Sequence, residues 1–200
     1  FLRNNSLKKK IELKIFGLKP KIAPKGIIFF SSFIDRVDEG DFLERNTFSY
    51  FKSTQTKKTK ENITYFVGSP LVEVGVLKQN TYLDLLSKIK SFYNGEVVYI
   101  PHRLERHENV KKIESIFKVI NLNQPFEVFL ISSEVIPKRV ASFYSAVLFT
   151  TNTLFGNTIE INSFMLPADK VMKMSAEKLR SIYDGIKQKS NISFKVISDY

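Results

Sequence analysis

Three short apolar runs most narrow what this chain can fold into. They are Gly26-Ile27-Ile28-Phe29-Phe30, Ile63-Thr64-Tyr65-Phe66-Val67 and Val97-Val98-Tyr99-Ile100. None alternates with polar residues, so each reads as a strand buried on both faces. Sharp stops follow: the acidic turn Asp35–Asp41, then Gly68-Ser69-Pro70, then Pro101. Tyr82, Leu85, Leu86, Ile89 and Phe92 recur at helical spacing, and Asn94-Gly95 closes that helix. Val110, Ile113, Ile116 and Phe117 predict another helix. Short helices are expected at Phe126–Ile131 and Ser145–Leu154, and an amphipathic one at Ala176–Gln188. Val140–Phe143 and Thr158–Ile161 read as further strands. Strands alternating with helices from residue 63 onward predict an α/β fold, a Rossmann-like parallel sheet with helices on both faces.

The 200 residues can bury a real core, in one ordinary domain or two small ones. Lys57–Glu61 is a charged break between apolar segments and a candidate linker. Ile11, Leu13 and Ile15 alternate weakly and suggest a short strand before Pro20 and Pro24. There is no cysteine, which excludes a disulfide scaffold, a thiol nucleophile and a Cys-ligated metal. Two histidines leave little material for a metal site, and none is expected. No run approaches the roughly 18 apolar residues of a membrane span. The first residue is Phe1, which suggests a fragment of a longer protein.

The net charge is +11, and it sits at the ends. Residues 1–25 hold eight basic side chains and one acid, Glu12; residues 170–200 hold seven basic and three acidic. The residues between are balanced. Basic ends on a neutral body suit an anionic membrane surface or a polyanionic substrate. Equally, they suit plain solvation. Nucleic acid is not expected as a partner, because aromatic residues do not interleave with the basic segments in a recognition pattern.

In a parallel α/β sheet, ligands bind beyond the carboxyl ends of the strands. Four segments are expected there: Asp38-Glu39-Gly40, Gly68-Ser69-Pro70, Pro101-His102-Arg103 and Ser142-Phe143-Tyr144-Ser145. A carboxylate on a rigid turn can take a proton from a hydroxyl nucleophile. Imidazole and guanidinium can hold a phosphate. A helix N-terminus near Ser142 and Ser145 could do the same, although serine is also the preferred N-cap. Glu127 opens a short helix after Pro125, where it could meet ribose hydroxyls or simply complement the helix dipole. No Gly-rich dinucleotide fingerprint and no Walker loop occurs.

Taken in order, these segments resemble the bacterial sialyltransferases of the lipooligosaccharide and capsular polysialyltransferase group. That group shares an acidic Asp/Glu-Asp/Glu-Gly motif, a histidine motif and a serine motif. The first resembles Asp38-Glu39-Gly40. The second resembles Tyr99-Ile100-Pro101-His102-Arg103-Leu104-Glu105, and the third Ala141-Ser142-Phe143-Tyr144-Ser145-Ala146-Val147-Leu148. Tyr65–Glu73 and Pro125-Phe126-Glu127 are also similar, so the resemblance spans residues 28 to about 165. Two departures stand out. Arg103 follows His102 where the group has proline, and Ala146 follows Ser145 where a serine pair is often adjacent.

The resemblance implies a GT-B enzyme of two facing Rossmann-like domains. Residues 1–60 would be the end of the N-terminal, acceptor-side domain. Residues 61–200 would be the complete C-terminal, nucleotide-sugar-binding domain. The reaction would be inverting transfer of sialic acid from CMP-sialic acid to a glycan hydroxyl, in capsule or lipooligosaccharide synthesis, with no cofactor. Glu39 or Asp38 would be the general base, Glu39 preferred, and His102 would serve the departing phosphate. Gly68, Ser69, Pro101, Arg103, Glu127, Ser142 and Ser145 would bind CMP. The resemblance places the protein in the cytoplasm, peripheral on the inner face of the bacterial plasma membrane. Two other readings compete: a GT-B glycosyltransferase using a different nucleotide sugar, and a truncated, non-catalytic module that binds membrane or glycan.

Overall fold

The structure is a computed structural model that describes residues 26–31, 36–54, 57–156, 158–189 and 192–196. The strand expected around Ile11–Ile15 and the basic segment of residues 1–25 lie outside the described residues. The chain divides into two compact units, residues 1–49 and residues 50–200.

In the first unit, β1 (Ile28–Ser31) pairs in parallel with β2 (Phe42–Arg45), with Ile28 opposite Phe42. The turn before β2 closes through a hydrogen bond from Asp41 N to Asp38 O, 3.0 Å long. Gly40 takes a φ of +86° there, a conformation that favours glycine. Asp41 Oδ1 accepts from Ile27 N at 3.0 Å, and Phe42 N donates to Ile27 O at 2.9 Å. Asp38-Glu39-Gly40 therefore stands at the amino ends of β1 and β2. The expectation that it follows the carboxyl end of a strand is corrected: the turn leads straight into β2, whose first residue, Phe42, pairs with Ile28 at the start of β1.

From α1 (Ser49–Thr54), whose first residue closes the first unit, the second unit runs through β3 (Lys58–Val67), α2 (Gln79–Phe92), β4 (Glu96–Ile100), α3 (His107–Ile113) and β5 (Lys118–Val119). It continues with α4 (Phe126–Ser132), β6 (Val135–Ser142), α5 (Ala146–Phe155) and β7 (Glu160–Met165). A short 3-10 turn (Ala168–Lys170), α6 (Ala176–Lys189) and β8 (Ser193–Val196) complete it. All six strands are parallel, in the spatial order β5-β4-β3-β6-β7-β8. The chain starts in the middle at β3, winds outward to β5, then crosses back to β6 and winds out to β8. This is the doubly wound Rossmann-like order. Right-handed crossovers in opposite directions put the two sets of helices on opposite faces.

The runs of β3 and β4 become strands because both faces are covered, whereas the expectation of a doubly buried strand at Gly26–Phe30 is corrected: Ile28 and Phe30 of β1 are exposed and Phe29 is only half-buried. Ile63, Phe66 and Val67 of β3 are buried, as are Val97 through Ile100 of β4. Phe66 lies at the centre, stacked on Tyr99 at 5.9 Å and edge-on to Phe143 at 5.4 Å. α2 covers this layer with Tyr82, Leu85, Leu86 and Ile89. α6 ties itself to the end of β7 through Tyr183, whose hydroxyl donates to Phe164 O at 3.1 Å and accepts from Leu166 N at 3.0 Å.

Several boundaries differ from expectation. Lys57–Glu61 is no linker: β3 begins at Lys58, and Lys58-Thr59-Lys60 pairs with Val135-Ile136-Pro137. This amino half of β3 is largely solvated, so it lacks the apolar signature of the buried half. Lys57 Nζ donates to Ile131 O at 2.8 Å and Ser133 O at 2.6 Å, satisfying carbonyls at the end of α4. The break between units falls after Ser49, not at residue 60. β6 starts at Val135, not Val140, and β5 and β8 were not foreseen.

Candidate functional site

A cavity of about 710 Å³ opens at the carboxyl ends of β3, β4 and β5. Val67 and Ile100 form its floor. Pro101, His102, Arg103 and Glu105 line one side, from the loop after β4. Asn121 to Gln124 line another, from the loop after β5. Glu127 in the first turn of α4 and Val147 in the first turn of α5 complete the rim. The position follows from the topology. β3 and β6 are neighbours, yet the chain leaves them in opposite directions, so a crevice forms beside them.

The turn after β4 is held from both ends. Glu105 N donates to His102 O at 2.8 Å. Leu104 N donates to His102 Nδ1 at 3.2 Å. With Nδ1 accepting, the neutral imidazole keeps its proton on Nε2. Burial lowers the pKa of His102; the neighbouring Arg103 guanidinium acts the same way, and Glu73 opposes both. At neutral pH this ring is a neutral hydrogen-bond donor. Arg103 is exposed and is the one arginine or lysine in the cavity lining.

Behind this turn lies a chain of buried polar groups. Ser69 N donates to Tyr82 Oη at 3.3 Å, and the Tyr82 and Tyr99 hydroxyls share a hydrogen bond of 2.8 Å. Tyr99 Oη donates to Glu105 Oε1 at 2.6 Å, and His102 N donates to Glu105 Oε2 at 2.6 Å. The chain joins the loop after β3 to the loop after β4. Burial pushes the Glu105 carboxyl up to about 7, although the hydrogen bonds from Tyr99 and His102 pull it down. Burial likewise raises both tyrosines, so they remain neutral donors. Gly68 makes room for the carboxylate. A Cβ there would lie 2.7 Å from Tyr99 Cζ, and closer still to the Tyr99 hydroxyl and to Glu105.

The residues singled out from sequence separate into three groups. Pro101, His102, Arg103 and Glu127 come together in the cavity lining. Glu127 accepts a short hydrogen bond from Thr150 Oγ1 of α5, which fixes its carboxylate across the two helices. Gly68, Ser69, Ser142 and Ser145 lie behind or beside the lining. Ser142 is wholly buried at the end of β6, and its hydroxyl donates to Val67 O at 2.7 Å. Ser145 is the N-cap of α5, its Oγ accepting from Val147 N at 3.3 Å. Gly68 N donates to Ile100 O at 2.8 Å, which ties the end of β3 to β4. Asp38 and Glu39, exposed on their turn, belong to the first unit.

Sequence reasoning quoted Glu105 in the histidine segment without giving it a role, and it missed the amide-rich Asn121–Gln124 loop. Glu105 follows His102 by three residues, the spacing of a tight turn, and that spacing is the one sequence signal that a carboxylate could fold back there. Asn121-Leu122-Asn123-Gln124 precedes Pro125 at a helix start, which marks a strand-to-helix loop on the binding side of the sheet. Among the described residues, no three histidine, aspartate or glutamate side chains converge as a metal ion would need. Among the described residues, no helix is long and apolar enough to cross a membrane.

No protein-family model matches the chain, and no curated protein matches it. Among solved structures, one described as "Structure of MT0777" is similar at 10% identity, over 68% of this chain and 86% of that one, with a TM-score of 0.40.

Proposed function

We propose that the second unit binds the nucleotide of CMP-sialic acid and that the protein is an inverting sialyltransferase of the GT-B type. The observation that carries this reading is the meeting of Pro101, His102, Arg103 and Glu127 in one cavity at the carboxyl ends of the central strands. Those residues come from two of the segments that resemble the sialyltransferase motifs. The Nε2–H of His102 and the Arg103 guanidinium are donors for a phosphate, and the Glu127 carboxylate is an acceptor for ribose hydroxyls. The asparagines and glutamine of the loop after β5 offer both donors and acceptors, as the edge of a cytosine requires.

On this reading the bond from the sugar's anomeric carbon to the CMP phosphate oxygen breaks as the acceptor oxygen attacks. His102 donates a hydrogen bond to the departing phosphate, whose charge grows as the bond lengthens. That interaction is stronger in the transition state than in the ground state, as catalysis requires. Glu39, or Asp38, would take the acceptor's proton; the motif order supports that role. The four residues behind the lining have structural parts instead: Gly68 and Ser142 shape the strand ends, Ser145 caps α5, and Ser69 anchors Tyr82.

Calorimetric titration with CMP, UMP and GMP, with and without magnesium, tests the reading. CMP binding tighter than the other two, unchanged by magnesium, is the expected result. Equal affinity for all three would overturn the choice of nucleotide, and tighter UMP or GMP binding would favour a GT-B enzyme with another donor.

A further inference from the structure

Glu105 stands in the wall of the cavity with no counter-charge. Among the described residues no lysine, arginine or histidine forms an ion pair with it. Both carboxylate oxygens face neutral donors, the Tyr99 hydroxyl and the His102 backbone N–H. The residue also shares its turn with His102 and Arg103, the groups read above as phosphate donors. We propose that Glu105 is a proton-linked latch on anion binding: neutral, it admits a phosphate beside His102 and Arg103; ionised, it opposes the phosphate. The proposal rests on the reading of this cavity as an anion site, and it gives a regulatory part to a residue to which the resemblance assigned no role.

The physical basis is reciprocity. If a bound anion and a carboxylate charge repel each other, the anion raises the affinity of that carboxyl for its proton, and the proton raises the affinity for the anion by the same factor. Burial strengthens the repulsion by lowering the local dielectric. The carboxyl already titrates near neutral pH, at about 7, so both states are populated under ordinary conditions. The other groups that face it do not cancel its charge. Tyr99 of β4 and Tyr82 of α2 are neutral, and Glu73, from the loop before α2, adds negative charge. Glu73 is itself engaged by Arg106 N at 3.0 Å and Asn109 Nδ2 at 2.8 Å. His102 and Arg103 sit on the same turn, and His107 and Glu127 lie elsewhere in the lining.

The hydrogen-bond chain gives the latch a second effect. An ionised Glu105 accepts from both Tyr99 and His102 N, whereas a neutral one carries a proton and can donate. The change alters the polarity of the chain that joins the two strand-end loops.

The test follows the Glu105 carboxyl by carbon-13 NMR from pH 5 to pH 9. It is done on the free protein, with saturating sulfate, and with saturating CMP. Sulfate keeps its charge throughout this range, so its binding reports only the protein's titration. We expect either anion to raise the Glu105 midpoint by about half a pKa unit or more, a threefold linkage. In Glu105→Gln, sulfate affinity should match wild type at pH 6 and exceed it by about threefold or more at pH 8. A midpoint unmoved by either anion, or absence of anion binding at the cavity, overturns the latch. So does a variant that binds more weakly than wild type at both pH values, which marks a merely structural carboxylate. A midpoint raised by sulfate without CMP preference keeps the latch and removes the CMP reading. Selective CMP binding with an unmoved midpoint does the reverse.

Discussion

Glu105 is exposed to two opposed influences, and their balance sets a measurable property of the folded state. Burial raises its carboxyl from the ordinary 4.5 to about 7, against the pull of two hydrogen bonds. The folded protein thus holds this proton more tightly than the unfolded chain does. Its contribution to stability is fully present below about 4.5 and is lost as pH rises through 7. The span corresponds to about 3 kcal/mol. Urea denaturation should show the wild type losing roughly 2–3 kcal/mol between pH 5 and pH 8 relative to Glu105→Gln. Parallel stability curves for the two proteins would mean that the carboxyl titrates as it would in water. His102, Pro101 and Arg103 were legible in the sequence because a continuous apolar strand ends at a proline and leaves them at its tip. The role of Glu105 was not, because its burial depends on Gly68, just past the end of another strand, and on Tyr82, on a helix.

Among the elements, β6 shows how a strand can hide. Val135 to Ser142 contains Pro137, Lys138 and Arg139, which break any apolar pattern. The polar stretch is tolerated because the amino end of the sheet is solvated. Lys138 pairs with Glu61 at 3.1 Å and Arg139 with Glu160 at 3.1 Å, each across to a neighbouring strand. Such exposed pairs add little stability. The carboxyl end differs. There the Ser142 hydroxyl satisfies Val67 O in the middle of the sheet, where water cannot reach. Ser142→Ala should leave that carbonyl unpaired and cost about 1–3 kcal/mol, read as a lower urea midpoint with unchanged slope. An unchanged midpoint would show that the carbonyl finds another donor. Sequence alone placed this serine at a strand end but read it as a ligand for phosphate. Both roles suit a hydroxyl there, and only the depth of burial separates them. β5 was invisible for a different reason: at two residues it is too short for any period to register.

For the molecule as a whole, the alternation of strand and helix was enough to predict the parallel sheet with helices on both faces. The order of strands was not readable, because it depends on which way each crossover turns. That order matters most for function. It brings β3 to the centre, beside β6, and opens the cavity at one end of the sheet. At the opposite end, Asn62, Tyr93, Asn94, Arg139 and Glu160 line a smaller hollow of about 330 Å³. The two ends give a direct internal comparison for the claim that the larger cavity holds the nucleotide. Backbone amide shifts should be followed in the nitrogen-15-labelled protein as CMP is added. Saturable shifts at Arg103, Glu105, Asn121, Asn123, Glu127 and Val147, with Asn62, Asn94 and Arg139 still, are the predicted result. Shifts confined to the opposite end, or none that saturate, would contradict the account.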